Sequence, residues 1–176
     1  RPWIQDLGLV ANPDGTFRSM TYSIGEVETI NANGHKQKAY YDVLGRMVKR
    51  EEYTGADGRC SLYPQEPYRL YAATEYAYNA RDQLTRTRDA DGNETRISYD
   101  QLGRKIAMDD PDMGHWEYRY DNNGNLVWQK DARGRELNFE YDRVDRLKRK
   151  WDGQEIDVEY TYDDRDHSYS RGRLSY

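Results

Sequence analysis

The sequence predicts an all-β fold of repeated antiparallel β-hairpins forming a curled ribbon, on three observations. Tyr78, Tyr99, Tyr120, Tyr141 and Tyr162 return every 21 residues, a period that belongs to stacked supersecondary units. Apolar and polar residues alternate before each landmark: Ile97 and Tyr99 flank Ser98, Tyr118 and Tyr120 flank Arg119, Phe139 and Tyr141 flank Glu140, and Tyr160 and Tyr162 flank Thr161. Period two is the mark of a half-buried strand. Turn-forming residues then recur at fixed offsets, with Asp82, Gly103, Gly124, Asp145 and Asp166 four residues after each Tyr and Asp89, Asp110, Asp131 and Asp152 ten residues before the last four. These types enter turns and tolerate positive φ.

Each 21-residue unit therefore reads as two strands and two turns. The strand ending at Tyr99 runs into Asp100-Gln101-Leu102-Gly103-Arg104, and a second strand follows from Lys105. The unit around Tyr120 repeats this through Asp121-Asn122-Asn123-Gly124-Asn125 and Leu126-Val127-Trp128-Gln129, and Asp131-Ala132-Arg133-Gly134 closes the second strand. Single hairpins are marginal in water, so the units are expected to stack and share an aromatic face. An earlier copy precedes Tyr41-Asp42, because Asn31-Ala32-Asn33-Gly34 stands ten residues before it. Residues 1–30 are expected to be an irregular or degenerate lead-in, 31–52 a repeat, 53–72 an extended loop insertion, and 73–176 tandem repeats of one continuous domain. The loop is placed where Gly55, Gly58, Cys60, Pro64 and Pro67 interrupt the period, since Pro and Gly resist a central strand.

Composition narrows the function classes. The 176 residues include 17 Tyr, and 27 basic residues are interspersed with 32 acidic ones for a net charge of −5. Nothing in that balance points to nucleic-acid capture. The longest apolar stretch falls far short of a membrane-spanning helix, and the single Cys60 leaves no intrachain disulfide to form. The first and last residues read as mid-chain sequence, and the expectation is a piece of a longer polypeptide.

Written as Tyr99-Asp100-x-x-Gly103-Arg104, or as Asp131-Ala132-Arg133-Gly134-Arg135 leading to Phe139-Glu140-Tyr141-Asp142, the unit resembles the YD repeat of the RHS family. Those repeats occur in bacterial polymorphic toxins, in cocoon-forming subunits of insecticidal toxin complexes and in teneurins. The resemblance covers residues 31–176. It implies a section of a larger β-shell, a hollow wall that encloses or presents a toxin or effector part of the same polypeptide, secreted or extracellular and non-enzymatic. The implied partners are the remainder of that polypeptide and its enclosed C-terminal domain. The structural repeat residues are Tyr41, Asp42, Tyr78, Tyr99, Asp100, Gly103, Tyr120, Asp121, Gly124, Tyr141, Asp142, Tyr162 and Asp163. Asp145 and Asp166 depart from the turn Gly, and Tyr78 is followed by Asn79.

No catalytic constellation, cofactor motif or metal set is expected. Asp110-Pro111-Asp112-Met113-Gly114 comes within one residue of the Asp-Pro-x-Gly core of RHS self-cleavage segments but occupies a repeat turn position. Asp89-Ala90-Asp91-Gly92-Asn93-Glu94 offers oxygen ligands without the full twelve-residue calcium loop, and turn chemistry accounts for its residues. Asn93-Glu94-Thr95 is a formal glycosylation sequon. His35, His115, His167 and Cys60 are scattered. The alternative function is a carbohydrate- or cell-surface-binding module in which exposed Trp116, Trp128 and Trp151 stack on a glycan.

Overall fold

The structure is a computed structural model, and it describes residues 5–11, 17–23, 25–31, 34–56, 66–155, 157–163 and 174–175. The chain divides into two compact units, 1–95 and 96–176. In the first, seven strands pair antiparallel in chain order: β1 Gln5–Ala11, β2 Phe17–Ser23, β3 Glu26–Ile30, β4 Lys36–Tyr41, β5 Met47–Ala56, β6 Glu66–Tyr78 and β7 Leu84–Arg88. The division falls within β8 Glu94–Tyr99. In the second unit β8 is followed, again in chain order, by β9 Lys105–Asp110, β10 Gly114–Tyr120, β11 Leu126–Lys130, β12 Glu136–Tyr141, β13 Leu147–Trp151 and β14 Asp157–Glu159. A separate pair, β15 Thr161–Tyr162 with β16 Leu174–Ser175, follows. The fold is all-β and built of antiparallel hairpins.

Two expected boundaries change. Residues 1–30, read as a lead-in, carry three paired strands. The loop placed at 53–72 is strand at both ends, because β5 continues to Ala56 and β6 begins at Glu66. Gly55 and Pro67 are absorbed by an irregularity between the pairs Thr54↔Arg69 and Ala56↔Glu66, where Gly55 has a φ of 98°. Pro is accommodated at a bulge because no ladder N–H is needed there. Gly58, Cys60 and Pro64 lie outside the described residues.

The Tyr-Asp turns share one geometry. Asp100 N donates to Arg104 O at 2.9 Å and Gly103 N to Asp100 O at 3.0 Å, and the same two bonds recur at 42–46, 79–83, 121–125 and 142–146. This is a type I turn closed by a left-handed residue. The left-handed position is Gly45, Asp82, Gly103, Gly124 and Asp145 in turn, with φ between 60° and 95°; Asp166 lies outside the described residues. Beside each turn the ladder slips by one residue immediately before the landmark Tyr, giving Tyr41↔Met47, Tyr78↔Leu84, Tyr99↔Lys105, Tyr120↔Leu126 and Tyr141↔Leu147. The slip is a β-bulge built into every repeat, and bulges increase local twist.

The opposite edge carries the second turns. Gly114 stands there at a φ of +72°, and a Cβ on it would lie 2.5 Å from Ala132 Cβ. Neither the conformation nor the space tolerates a side chain, so Gly114→Ala is expected to cost about 2 kcal/mol, measured by chemical denaturation.

The sheet is a single layer. Met108 and Glu51, each at 8% exposure, are the residues with side chains that are buried as a whole among the described residues, and the Asp152 carboxylate is also covered, at 3% exposure. The aromatic ladder is therefore half-buried, not a closed core. In the second unit Ile97, Met108 and Trp116 lie across from one another on one face, as do Tyr118, Gln129 and Leu137; Trp116 stacks on Tyr118 with centroids 6.4 Å apart.

Candidate functional site: the Tyr-Asp turn and its clamp

Asp or Asn suits the first turn position because its side-chain oxygen replaces missing backbone partners. Asp100 Oδ1 accepts from Leu102 N and Arg104 N, each at 2.9 Å, and Oδ2 accepts from Arg104 Nε at 2.6 Å. Asp42 does the same with Leu44 and Arg46, and Asp142 with Val144 and Arg146. Asp121 bonds Asn123 N and Asn125 N, and Asn79 bonds Arg81 N and Gln83 N. Such side-chain bonds two and four residues ahead hold a turn locally.

The Asp residues ten before each landmark serve the other edge in the same way. Asp89 accepts from Asp91 N, Asn93 N and Asn93 Nδ2, so both carboxylate oxygens of the would-be calcium segment are engaged in the turn. Asp131 accepts from Arg133 N and Arg135 N, and Asp110 from Asp112 N and Met113 N. Among the described residues no group of three His, Cys, Asp or Glu is placed to hold a metal ion.

The Arg that follows the turn reaches the next repeat. Arg104 NH1 donates to Asp121 O at 2.7 Å, and its guanidinium lies 5.1 Å from the Tyr120 ring centroid. Arg46 lies 5.2 Å from the Tyr78 ring and bonds Asn79 O and Asp82 Oδ1; Arg146 lies 4.4 Å from the Tyr162 ring and pairs with Asp163 at 2.8 Å. The stacked Tyr completes the clamp. Tyr78 donates its hydroxyl to Met47 O, Tyr120 to Lys105 O and Tyr162 to Leu147 O, at 2.8, 2.8 and 2.9 Å. Each acceptor lies beyond the last registered pair of its ladder, Lys49↔Glu75, Ala107↔Glu117 and Arg149↔Glu159. The twisting strands have parted there, and the phenol supplies the donor that the ladder no longer provides.

The clamp alternates along the chain. At the intervening turns the fifth residue is an amide: Gln83 Oε1 accepts from Asn79 Nδ2, while Asn125 Nδ2 reaches Asp145 Oδ1 at 2.7 Å with Asn123 Nδ2 beside it at 3.0 Å. The true structural period is thus two 21-residue units. Arg46, Arg104 and Arg146 were not among the sequence-predicted residues, although Asp-x-x-Gly-Arg shows them at a constant offset from Asp. Arg104→Ala is expected to cost about 1.5 kcal/mol, and Arg104→Lys to recover less than half, because an ammonium cannot hold a carboxylate, a carbonyl and a ring at once. Thermal and urea unfolding of the two variants measure this.

Charge state at the edge depends on acid. Backbone N–H bonds from Arg46, Arg104 and Arg146, followed by the bonds from their side chains, hold the carboxyls of Asp42, Asp100 and Asp142 below the usual range. A depressed folded pKa contributes stability that is complete above the unfolded value of about 3.9 and is lost as pH falls through the folded value. The Tyr-Asp edge is expected to loosen below about pH 4, read as loss of amide-exchange protection at Leu102 and Arg104 before that of Met108.

A buried carboxylate of the first unit is opposite in character to these turns. Glu51 Oε2 accepts from Tyr40 and Tyr53 hydroxyls at 2.8 and 2.6 Å, and Oε1 pairs with Lys49 at 2.7 Å. Lys49, Tyr53 and Tyr40 hold its pKa down to about 2, while burial first and Glu51 second push both tyrosines up. Every shift moves away from neutrality, so the cluster is locked in place and not poised for proton transfer.

The three tryptophans do not form one platform. Trp116 is on the aromatic face, whereas Trp128 and Trp151 lie opposite Asn138 on the other face. Arg119 covers Trp128 at 4.1 Å and Arg149 covers Trp151 at 5.0 Å. His115 pairs with Asp109 at 2.7 Å on an exposed strand; His35 sits in the turn before β4, its N–H donating to Asn31 Oδ1, and His167 lies outside the described residues.

The RHS repeat family matches residues 78–112, which span one Tyr-Asp turn pair and the strands between. No curated protein matches the chain. Among solved structures, the crystal structure of TcdB2-TccC3 superimposes with a TM-score of 0.71 at 15% identity, covering 94% of this chain and 9% of that one. TcdB2-TccC3-Cdc42 gives 0.70 at 15% identity with the same coverages. The Photorhabdus luminescens Tc holotoxin pore gives 0.67 at 13% identity, covering 88% of this chain and 8% of that one. The chain thus spans about a tenth of the length of the structures it resembles. Their likeness extends the antiparallel hairpin fold well beyond the 78–112 segment that matches the RHS repeat.

Proposed function

We propose that this chain is a non-enzymatic wall section of an RHS/YD-repeat shell, which encloses or presents a toxin or effector part of the same longer polypeptide outside the producing cell. The single-layer construction carries the reading: Met108 is the one buried apolar side chain among the described residues, and cohesion comes from clamps between successive turns. A wall needs two accessible faces and strength along its length. A catalytic pocket needs a closed, preorganised site, and the charged groups lining the open 430 Å³ hollow between Glu140 and Tyr162 are largely paired with one another. The glycan-binding alternative is weaker, because the predicted tryptophans are divided between faces and two rings are covered by guanidinium groups.

Limited proteolysis of the longer polypeptide, followed by mass spectrometry, tests the proposal. The expected result is survival of the part outside the repeats under conditions that digest the same part made alone. Equal digestion of both would remove enclosure from the reading.

A further inference from the structure

We propose that Asn123 is a site of spontaneous deamidation, at which the backbone nitrogen of Gly124 attacks the side-chain amide and turns an amide clamp between two repeats into a pair of facing carboxylates. The chemistry is intramolecular and needs only water. Gly124 N forms a bond to Asn123 Cγ, the Cγ–Nδ2 bond breaks, and Nδ2 leaves as ammonia with the proton from Gly124 N. Water then opens the resulting succinimide at Cγ to give aspartate, or at the main-chain carbonyl to give isoaspartate. Among the described residues Asn123 is the one Asn that precedes Gly, and Asn33 of the other Asn-Gly pair lies outside them. A glycine nitrogen is the least shielded against such a bond, because no Cβ crowds it. Asn93, Asn122, Asn125 and Asn138 are followed instead by Glu, Asn, Leu and Phe.

The turn exposes the reacting groups and also restrains them. Asn123 is exposed at the tip, and Gly124, at a φ of 94°, has no atom beyond its chain neighbours within 4 Å of where a Cβ would stand. Gly124 N donates to Asp121 O at 3.2 Å and Asn123 Nδ2 to Asp145 Oδ1 at 3.0 Å. Both bonds must open before the nitrogen meets Cγ, so the reaction runs through brief local openings of the tip. Its product cannot restore the clamp. Asp121 and Asp145 are held by neutral amides and backbone N–H groups, and aspartate at 123 replaces a donor with a like charge beside Asp145. Isoaspartate adds one carbon to the main chain of a turn closed by the bond from Asp121 N to Asn125 O at 3.0 Å. The Arg-clamped turns carry Leu44, Leu102 and Val144 at the same position and have no amide there to lose.

Tryptic mapping by mass spectrometry of the full chain, aged in mildly alkaline buffer, tests the proposal. The fragment between Arg119 and Lys130 carries Asn122, Asn123 and Asn125 together, so two asparagines serve as internal controls. Asn123 is expected to gain one dalton ahead of both, faster in alkaline than in mildly acidic buffer and faster in urea than in the folded chain. Asp145→Gly removes the acceptor and supplies the residue that holds the left-handed position in other turns. It is expected to speed the reaction about threefold or more, with circular dichroism confirming its fold. Asn123→Asp stands for the product without ageing, and its Asn125 amide is expected to exchange about tenfold faster than in the wild type. Equal gain at Asn122, a rate untouched by Asp145→Gly in a folded variant, or unchanged exchange at Asn125 in Asn123→Asp would each overturn it.

Discussion

Tyr120→Ala is expected to destabilise the second unit by about 3 kcal/mol. The loss combines a half-buried ring, its stacking with Arg104 at 5.1 Å and the hydroxyl bond to Lys105 O at 2.8 Å. These contributions separate by mutation. Tyr120→Phe keeps the ring under the guanidinium and removes only the bond to a carbonyl beyond the ladder, costing about 1 kcal/mol. A double-mutant cycle with Arg104→Ala is expected to give a coupling of about 0.5–1 kcal/mol, the stacking share. Urea denaturation followed by tyrosine fluorescence measures all three. A loss below about 1 kcal/mol for Tyr120→Ala would mean that the repeat Tyr packs without supporting the turn-to-turn clamp.

Glu51→Ala is expected to cost the first unit about 3–5 kcal/mol. The carboxylate is 8% exposed and satisfies two phenols and Lys49, so its removal leaves a cation and two hydroxyls facing a cavity. Glu51→Gln retains acceptor capacity for the phenols and is expected to cost less, about 2 kcal/mol, chiefly from the lost pairing with Lys49. Because the folded pKa is near 2, the contribution of Glu51 is complete above the unfolded value of about 4.3 and disappears as pH falls toward 2. Urea midpoints at neutral pH and near pH 3 report this. The difference between wild type and Glu51→Gln should narrow on acidification.

The two predictions probe different ways of holding a single-layer sheet. At the edges, repeated clamps join each turn to the next and spread cohesion along the chain. In the middle of the first unit, a charged network does the work that a second layer of apolar side chains does in a sandwich. Lys36 extends that network, pairing with Glu28 at 2.8 Å and lying above the Tyr53 and Tyr68 rings, while Lys38 pairs with Glu26 at 2.6 Å.

Much of this was legible in the chain. A 21-residue return of Tyr-Asp, with Gly or Asp four residues after Tyr, specifies a strand ending in a turn with one left-handed position, because few residue types adopt that conformation at low cost. The Asp ten residues earlier likewise announces the second turn. Strand identity, turn placement and antiparallel order follow from such local chemistry, which depends on neighbours within about five residues. The insertion was misjudged for the same reason: Gly55 and Pro67 disfavour a regular ladder, but a ladder with one irregularity accepts them, and the lengthened pairing of β5 with β6 supplies the compensation.

Tertiary structure alone decided what joins one turn to the next. Arg104 stacks on a Tyr 16 residues away and bonds the carbonyl of Asp121, so its role emerges only when strands between them have folded back. The bulge beside every landmark Tyr, the two-unit alternation of Arg and amide clamps, and the division of the tryptophans between faces depend on register in the same way. A slip of one residue moves a side chain to the other face of a sheet, and residue spacing within one strand carries no record of a slip made against its neighbour. Sequence by itself therefore determined the hairpin and its turns, and the three-dimensional pairing decided which face, which clamp and which carboxylate hold the wall together.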